Sequence, residues 1–239
     1  MCKNQKASIW SLFALLSIWI CVIISIGFSG SGADLETGAE EKRPVLILDA
    51  GHGGMDGGAV SVTGTRECEL NWEIAERIYD AAGFLGLKTV RTRPVEKIEY
   101  PPELRTVAAM KKWDTRRRVE VVNRTDNGFL VSIHQNSYPS KGPRGIHVLY
   151  RHDDLSFTLA QRLQSAMSVL FSGSNFRQPV KAGKDIYLIA HSDRPAVLIE
   201  CGFVSNPAEA VLLESESHQK KLSLITTAVF YNYTGDEVF

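Results

Sequence analysis

Three short apolar runs constrain this chain most, because each one ends beside a residue that can do chemistry. Val45-Leu46-Ile47-Leu48-Asp49-Ala50 leads into Gly51-His52-Gly53-Gly54, Phe129 to His134 ends on an imidazole, and Ala196-Val197-Leu198-Ile199 ends on Glu200. Apolar runs of this kind, bounded by turn residues, read as strands buried on both faces, the pattern of a parallel sheet. Helical patterns lie between them. Leu70, Ile74 and Ile78 recur at helix spacing in a segment from Glu67 to about Leu85, with Gly86 as its stop. Leu155, Leu159, Leu163, Met167 and Leu170 share one face of a second helix, Leu155 to Phe171. Strands alternating with helices predict an α/β fold, a single domain whose largely parallel central sheet carries helices on both faces.

The remaining segments complete that expectation. Lys88 to Arg93 and Gly145 to Tyr150 read as strands, and Ile186 to Ala190 as a short strand or extended edge. Pro94 to Trp113 reads as a loop with a helical portion near Arg105 to Lys112, after which Asp114 caps a helix running to about Thr125. Pro207–Leu213 and His218–Tyr231 read as closing helices. Arg116 to Arg118 and the charged loop from Arg93 to Tyr100 read as solvated surface.

Before the first strand the chain changes character. Lys3 and Lys6 precede twenty uncharged residues, Ile9 to Phe28, rich in Leu and Ile and containing Trp10 and Trp19. At ~1.5 Å per residue a helix of that length spans about 30 Å, enough to cross a bilayer. The basic flank stays inside and the rest is exported. Residues 1–33 are thus expected to be a membrane anchor or signal segment, its length favouring a retained anchor. Residues 34–43 form a polar tether and 44–239 the folded domain. With 27 basic and 27 acidic residues the formal charge is zero, which gives no electrostatic argument for a nucleic-acid partner. Cys68 and Cys201 directly follow Glu67 and Glu200. In an exported protein they are either a disulfide or two buried thiols, and the second reading is preferred.

His52, Glu67 and His134 offer two imidazoles and a carboxylate from two strand ends and a helix start, so all three can converge on one rim of the sheet. Three such ligands with an open fourth position are what a catalytic zinc ion needs. A further carboxylate must then handle protons. Glu200 is the candidate, since a charge after four apolar residues is costly to bury without purpose. Asp56 and Glu69 are rivals closer in sequence. His147, His152, His191 and His218 read as ordinary core or surface residues.

Taken in order, Leu46-Ile47-Leu48-Asp49-Ala50-Gly51-His52-Gly53-Gly54, Glu67 before a helix, Ser132-Ile133-His134-Gln135-Asn136, and Pro195 to Pro207 resemble the zinc-dependent N-acetylmuramoyl-L-alanine amidases of bacterial cell walls. The resemblance runs from about Pro44 to the C-terminus. It implies one zinc ion per chain held by His52, Glu67 and His134, Glu200 as the catalytic residue, and peptidoglycan as substrate. Ala50 stands where many members have Pro and Gln135 where many have Ala, neither expected to touch a ligand. The layout, together with Lys184 to Ile189, resembles the germination-specific spore-cortex branch. That implies removal of stem peptides ahead of muramic-δ-lactam formation, with an accessory activator protein of unknown identity as a further partner. Wall turnover or cell separation, or a zinc peptidase acting within the stem, are the rival activities; a wall-binding module without catalysis is the least favoured. Ser137 to Arg144 is too short to hold the occluding helix of division amidases.

Overall fold

The computed structural model describes residues 43–171 and 177–235. The chain divides into two units, 1–42 and 43–239. The expected membrane segment and nearly all of the tether lie outside the described residues. Among the described residues no helix is long and apolar enough to cross a membrane.

Six strands form one sheet: β1 (Val45–Ala50), β2 (Thr89–Arg91), β3 (Gly128–Asn136), β4 (His147–Tyr150), β5 (Val180–Lys181) and β6 (Ala196–Phe203), in the order β2-β1-β3-β6-β4-β5. The first four in that order run parallel, and β4 pairs antiparallel with β6 and parallel with β5. The sheet is thus mixed, with a parallel centre and a reversed edge. Ser137 to Ile146 carries the chain from β3 past the place of β6 to β4, which runs opposite to both, whereas each parallel step along the chain needs a helical crossover.

The helices are α1 (Glu67–Phe84), α2 (Val107–Arg124), α3 (Asp154–Leu170), α4 (Tyr187–Ala190), α5 (Pro207–Leu213) and α6 (Glu216–Gly235). α1, α3 and α6 cover one face, where Leu46, Leu48, Phe129, Val131, Ile133, Val197 and Ile199 meet Ile74, Ile78, Leu163, Phe230 and Tyr233. α2 and α4 cover the other, where Ile47, Leu130, Ala196 and Leu198 meet Val122, Leu188 and Ile189. β1 and β3 lie side by side at the centre of the sheet, and their carboxyl ends are the edge outside which ligands bind in open α/β sheets.

Several local expectations change. The segment Tyr187–Ala190 is one turn of helix rather than a strand. Its Leu188 and Ile189 are both buried beneath α2, which period-two alternation would not allow. α2 starts seven residues before Asp114, capped by the Thr106 hydroxyl accepting from Ala109 N at 3.2 Å. Asp114 instead lies within the helix, paired with Arg118 one turn on. β5 was not foreseen; two exposed residues carry no periodicity to read. Cys68 and Cys201 are free, buried thiols.

Candidate active site

His52, Glu67 and His134 meet at the carboxyl ends of β1 and β3, with one ligand-capable atom from each lying within 4.8 Å of the others. Glu67 Oε1 stands 3.3 Å from His52 Nε2 and 3.0 Å from His134 Nδ1. Around a tetrahedral ion with ligand distances of ~2.0–2.1 Å, neighbouring ligand atoms lie roughly 3.3 Å apart. The donor set and its spacing therefore fit a zinc ion.

Each of the three side chains is fixed from behind. Glu67, the first residue of α1, is 4% exposed and accepts from Ala59 N at 2.9 Å and Gln135 N at 3.1 Å. Burial alone would raise its pKa, but the imidazoles of His134 and His52 overcome that and hold the carboxyl well below its ordinary range. Gln135 is thus closer to the site than expected. Its backbone touches Glu67, and its side chain donates to Asn71 Oδ1, while Asn71 donates to Gly51 O. His134 lies against Gly51, where any side chain would occupy the ring's own space. Gly58, at φ 68°, likewise leaves room for the Glu67 carboxylate and the His52 ring.

His52 carries the most elaborate support. Its backbone is left-handed, φ 58°, a conformation that costs a non-glycine residue roughly 1–2 kcal/mol. Two guanidinium groups hold it there. Arg93 donates to Ala50 O at 3.0 Å and His52 O at 2.9 Å; Arg118 donates to Ala50 O at 2.9 Å and also to His52 O. Both arginines are buried, contrary to the solvated surface expected of them. Their charge is balanced by Asp114, which pairs with Arg118, and by Asp49, 1% exposed, which also accepts from Thr92 at 2.6 Å and Ser132 at 2.7 Å. Burial works to raise the Asp49 carboxyl, and Arg118 and the two hydroxyls hold it below its ordinary value.

Asp56, a rival for the proton-handling role, instead accepts at 2.9 Å from His52 Nδ1, leaving Nε2 directed at Glu67. A carboxylate behind a histidine is the usual device for orienting a metal-binding imidazole. Burial would lower the His52 pKa, but Asp56 and Glu67 raise it to about 9. Glu69 is partly exposed and tied to Arg66 at 2.7 Å. Sequence reasoning missed Asp49, Arg93 and Arg118; a signal existed only in Asp49, an acid inside an apolar run.

Glu200 pairs in register with His134 across β3 and β6, on the face that also carries Ser132 and Asp49. Its Oε2 is buried with no hydrogen-bond partner. Burial pushes its pKa up to about 7, with His134 opposing and Glu67 adding to the rise. His147 lies opposite Glu200 on β4, half-buried, and its burial lowers its pKa. The other histidines lie elsewhere, His152 on Lys181, His191 stacked on Tyr187 and His218 against Phe171.

His52, His134 and Glu200 line a cleft of about 260 Å³, with Glu67 buried behind the two imidazoles. One bank is α2, with Lys111 and Thr115; the other is the segment from Asp185 to Leu188. A sequence profile of N-acetylmuramoyl-L-alanine amidases matches residues 46–229, the span that builds this cleft. The chain belongs to that family. It is an N-acetylmuramoyl-L-alanine amidase, a hydrolase of peptidoglycan. The germination-specific N-acetylmuramoyl-L-alanine amidase of Bacillus subtilis (strain 168) is 28% identical over 224 residues, 92% of each chain. A probable cell wall amidase of Staphylococcus aureus, LytH, is 30% identical over 77% of this chain and 57% of its own. Among solved structures, the CwlD amidase of Clostridioides difficile in complex with the GerS lipoprotein superposes with a TM-score of 0.75 at 30% identity, covering 80% of this chain and 98% of that one. With these, the His-Glu-His group is consistent with a zinc site.

Proposed function

We propose that this amidase holds one zinc ion through His52, Glu67 and His134, and that Glu200 is its catalytic acid-base. A zinc ion in such a site supplies Lewis acidity toward a carbonyl and acidifies water at neutral pH. His52 and His134 enter as neutral ligands; Asp56 accepts a hydrogen bond from His52 Nδ1–H, which keeps the proton on Nδ1 and leaves Nε2 for the metal. Glu200 accepts a proton from the attacking water and returns it to the leaving nitrogen of L-alanine, so that the lactyl–alanine amide is cleaved. The observation that carries this reading is the buried, unpartnered Glu200 Oε2 beside His134. Burial raises this carboxyl in the metal-free protein and a bound cation would lower it again, two opposing influences on a group that must take up and release a proton.

The biological reading follows the relatives. Similarity to the germination-specific enzyme over 92% of both chains supports action on spore-cortex peptidoglycan, with stem removal preceding muramic-δ-lactam formation. Similarity to a probable cell wall amidase supports the second reading, general wall turnover. The CwlD structure includes a lipoprotein, which supports an accessory partner of that kind here. Residues 1–33 act as anchor or signal and place the domain, 44–239, outside the membrane.

Zinc content and product analysis on purified peptidoglycan test the chemistry. One zinc per chain and free stem peptides with N-terminal L-alanine are expected; peptides cut within the stem would refute the bond assignment. His134→Ala is expected to lose the metal, and unchanged stoichiometry would remove it from the ligand set. Cortex and vegetative peptidoglycan compared side by side separate the two biological readings.

A further inference from the structure

The cleft's two banks differ in charge. On the α2 bank, Lys111 is the one exposed cation among the described lining residues, 53% exposed in its side chain. Arg118 also lines the cleft but is buried and committed to the His52 loop. On the opposite bank Asp185 is exposed and acidic. Asp49, Asp56, Asp114 and Glu200 also line the cleft, so Lys111 is the exposed cationic contact it offers a substrate carboxylate, on the bank away from Asp185.

Lys111 is also aimed. Its ammonium lies 3.0 Å from Asp56 Oδ2, the same oxygen that stands 2.9 Å from His52 Nδ1. The head group is thus one carboxylate oxygen away from a proposed metal ligand. An ammonium has three N–H donors. Asp56 takes one and leaves the others free for a ligand in the cleft.

The substrate carries an acid close to the bond that is cleaved. Stem peptides begin with L-alanine, whose nitrogen is the scissile one, followed by a glutamate linked through its side chain. The α-carboxyl of that second residue is free, or in some walls amidated. It stands about two residue steps, roughly 7 Å, beyond the scissile bond. We infer that Lys111 reads this carboxylate, binding the free acid of the second stem residue and discriminating against its amide. The stem then lies toward α2 and the glycan toward Asp185. This rests on the substrate assignment above and deepens it.

The alternative role for Lys111 is to neutralise Asp56. That role affects zinc retention and both substrates alike, whereas the reader role affects one substrate. The test uses the full zinc-loaded chain and two muramoyl-peptides that differ only in carrying glutamate or its α-amide at the second position. Wild type is expected to favour the acid by about tenfold in kcat/KM, carried by KM, the scale of one charge-assisted hydrogen bond. Lys111→Gln is expected to lose the acid's advantage, read as the ratio of the two kcat/KM values so that any loss through Asp56 common to both substrates cancels; Lys111→Arg is expected to restore the ratio. Equal cleavage of the two by wild type, or a preference that survives in Lys111→Gln, overturns the inference and leaves the amidase assignment standing. Cleavage of neither by wild type would overturn that assignment as well.

Discussion

The two faces of the sheet are made from the same strands and do different work. Toward α1, α3 and α6 the strand side chains are apolar up to the carboxyl end of β3, where Gln135 bonds Asn71 of α1: Leu46 and Leu48 on β1, Phe129, Val131 and Ile133 on β3, Val197, Ile199 and Cys201 on β6. Toward α2 and α4 each strand begins apolar, with Ile47, Leu130, Ala196 and Leu198, and then turns polar at Asp49, Ser132, His134 and Glu200. Strand alternation lets one residue in two serve the core without interruption while its neighbour serves chemistry. The face covered by three helices supplies the burial, and the thinner face can then hold groups that oppose folding, such as an unpartnered carboxylate.

If this division is right, changes on the two faces separate activity from stability. The largest effect is expected from Glu200→Gln: turnover falls about 10²–10⁴-fold, the range for removing a general acid-base, while zinc content and melting temperature hold. Wild-type-like rates would take Glu200 out of the mechanism. Phe230→Ala, under the opposite face, is expected to lose about 3–5 kcal/mol by denaturant unfolding, with the surviving folded fraction keeping its specific activity. A specific loss of turnover there would show that the faces are not independent. Arg118→Lys keeps the charge beside Asp49 but loses the planar fork that grips the Ala50 and His52 carbonyls. Zinc affinity is expected to fall about 10–100-fold in a chelator competition, the usual scale for a group supporting a metal ligand. The smallest effect concerns pH. His52 in the metal-free protein binds its proton more tightly than an ordinary imidazole, about 9 against 6.5. Proton binding therefore stabilises the fold below about 6.5, and that contribution is lost as pH rises through about 9. Thermal melts of chelated protein should decline modestly across that window while zinc uptake climbs, because only the neutral ring binds metal. A flat profile in both would break the link between His52 and its two carboxylates.

Sequence reasoning reached this face unevenly, for a physical reason. His52, His134 and Glu200 stand at the ends of strongly apolar runs, where topology dictates that a side chain reaches the rim. The parallel centre of the sheet was legible from the same runs. Arg93 and Arg118 were not, because a charge within a polar segment looks the same whether its partner is water or a buried carbonyl. Only the fold brings residues 93 and 118 onto the carbonyls of Ala50 and His52. Asp114 reads as a cap because the prolines of Pro94 to Trp113 mark a loop, although the helical portion near Arg105 to Lys112 is in fact the first part of α2, capped by Thr106. Ile186 to Ala190 reads as a strand from its apolar content, which a single helical turn shares.

Cys68 and Cys201, the two of the chain's four cysteines that lie among the described residues, mark the boundary between these regions. Cys201 follows Glu200 on β6 but points into the apolar face, and Cys68 follows Glu67 at the start of α1; both are buried and neither is cross-linked. A thiol-directed reagent reaches them only when β6 or α1 comes away from its neighbours. The protein therefore carries its own clock for opening, one label per element, and the rates at which the two sulfurs react will report whether helix and strand detach together or in turn.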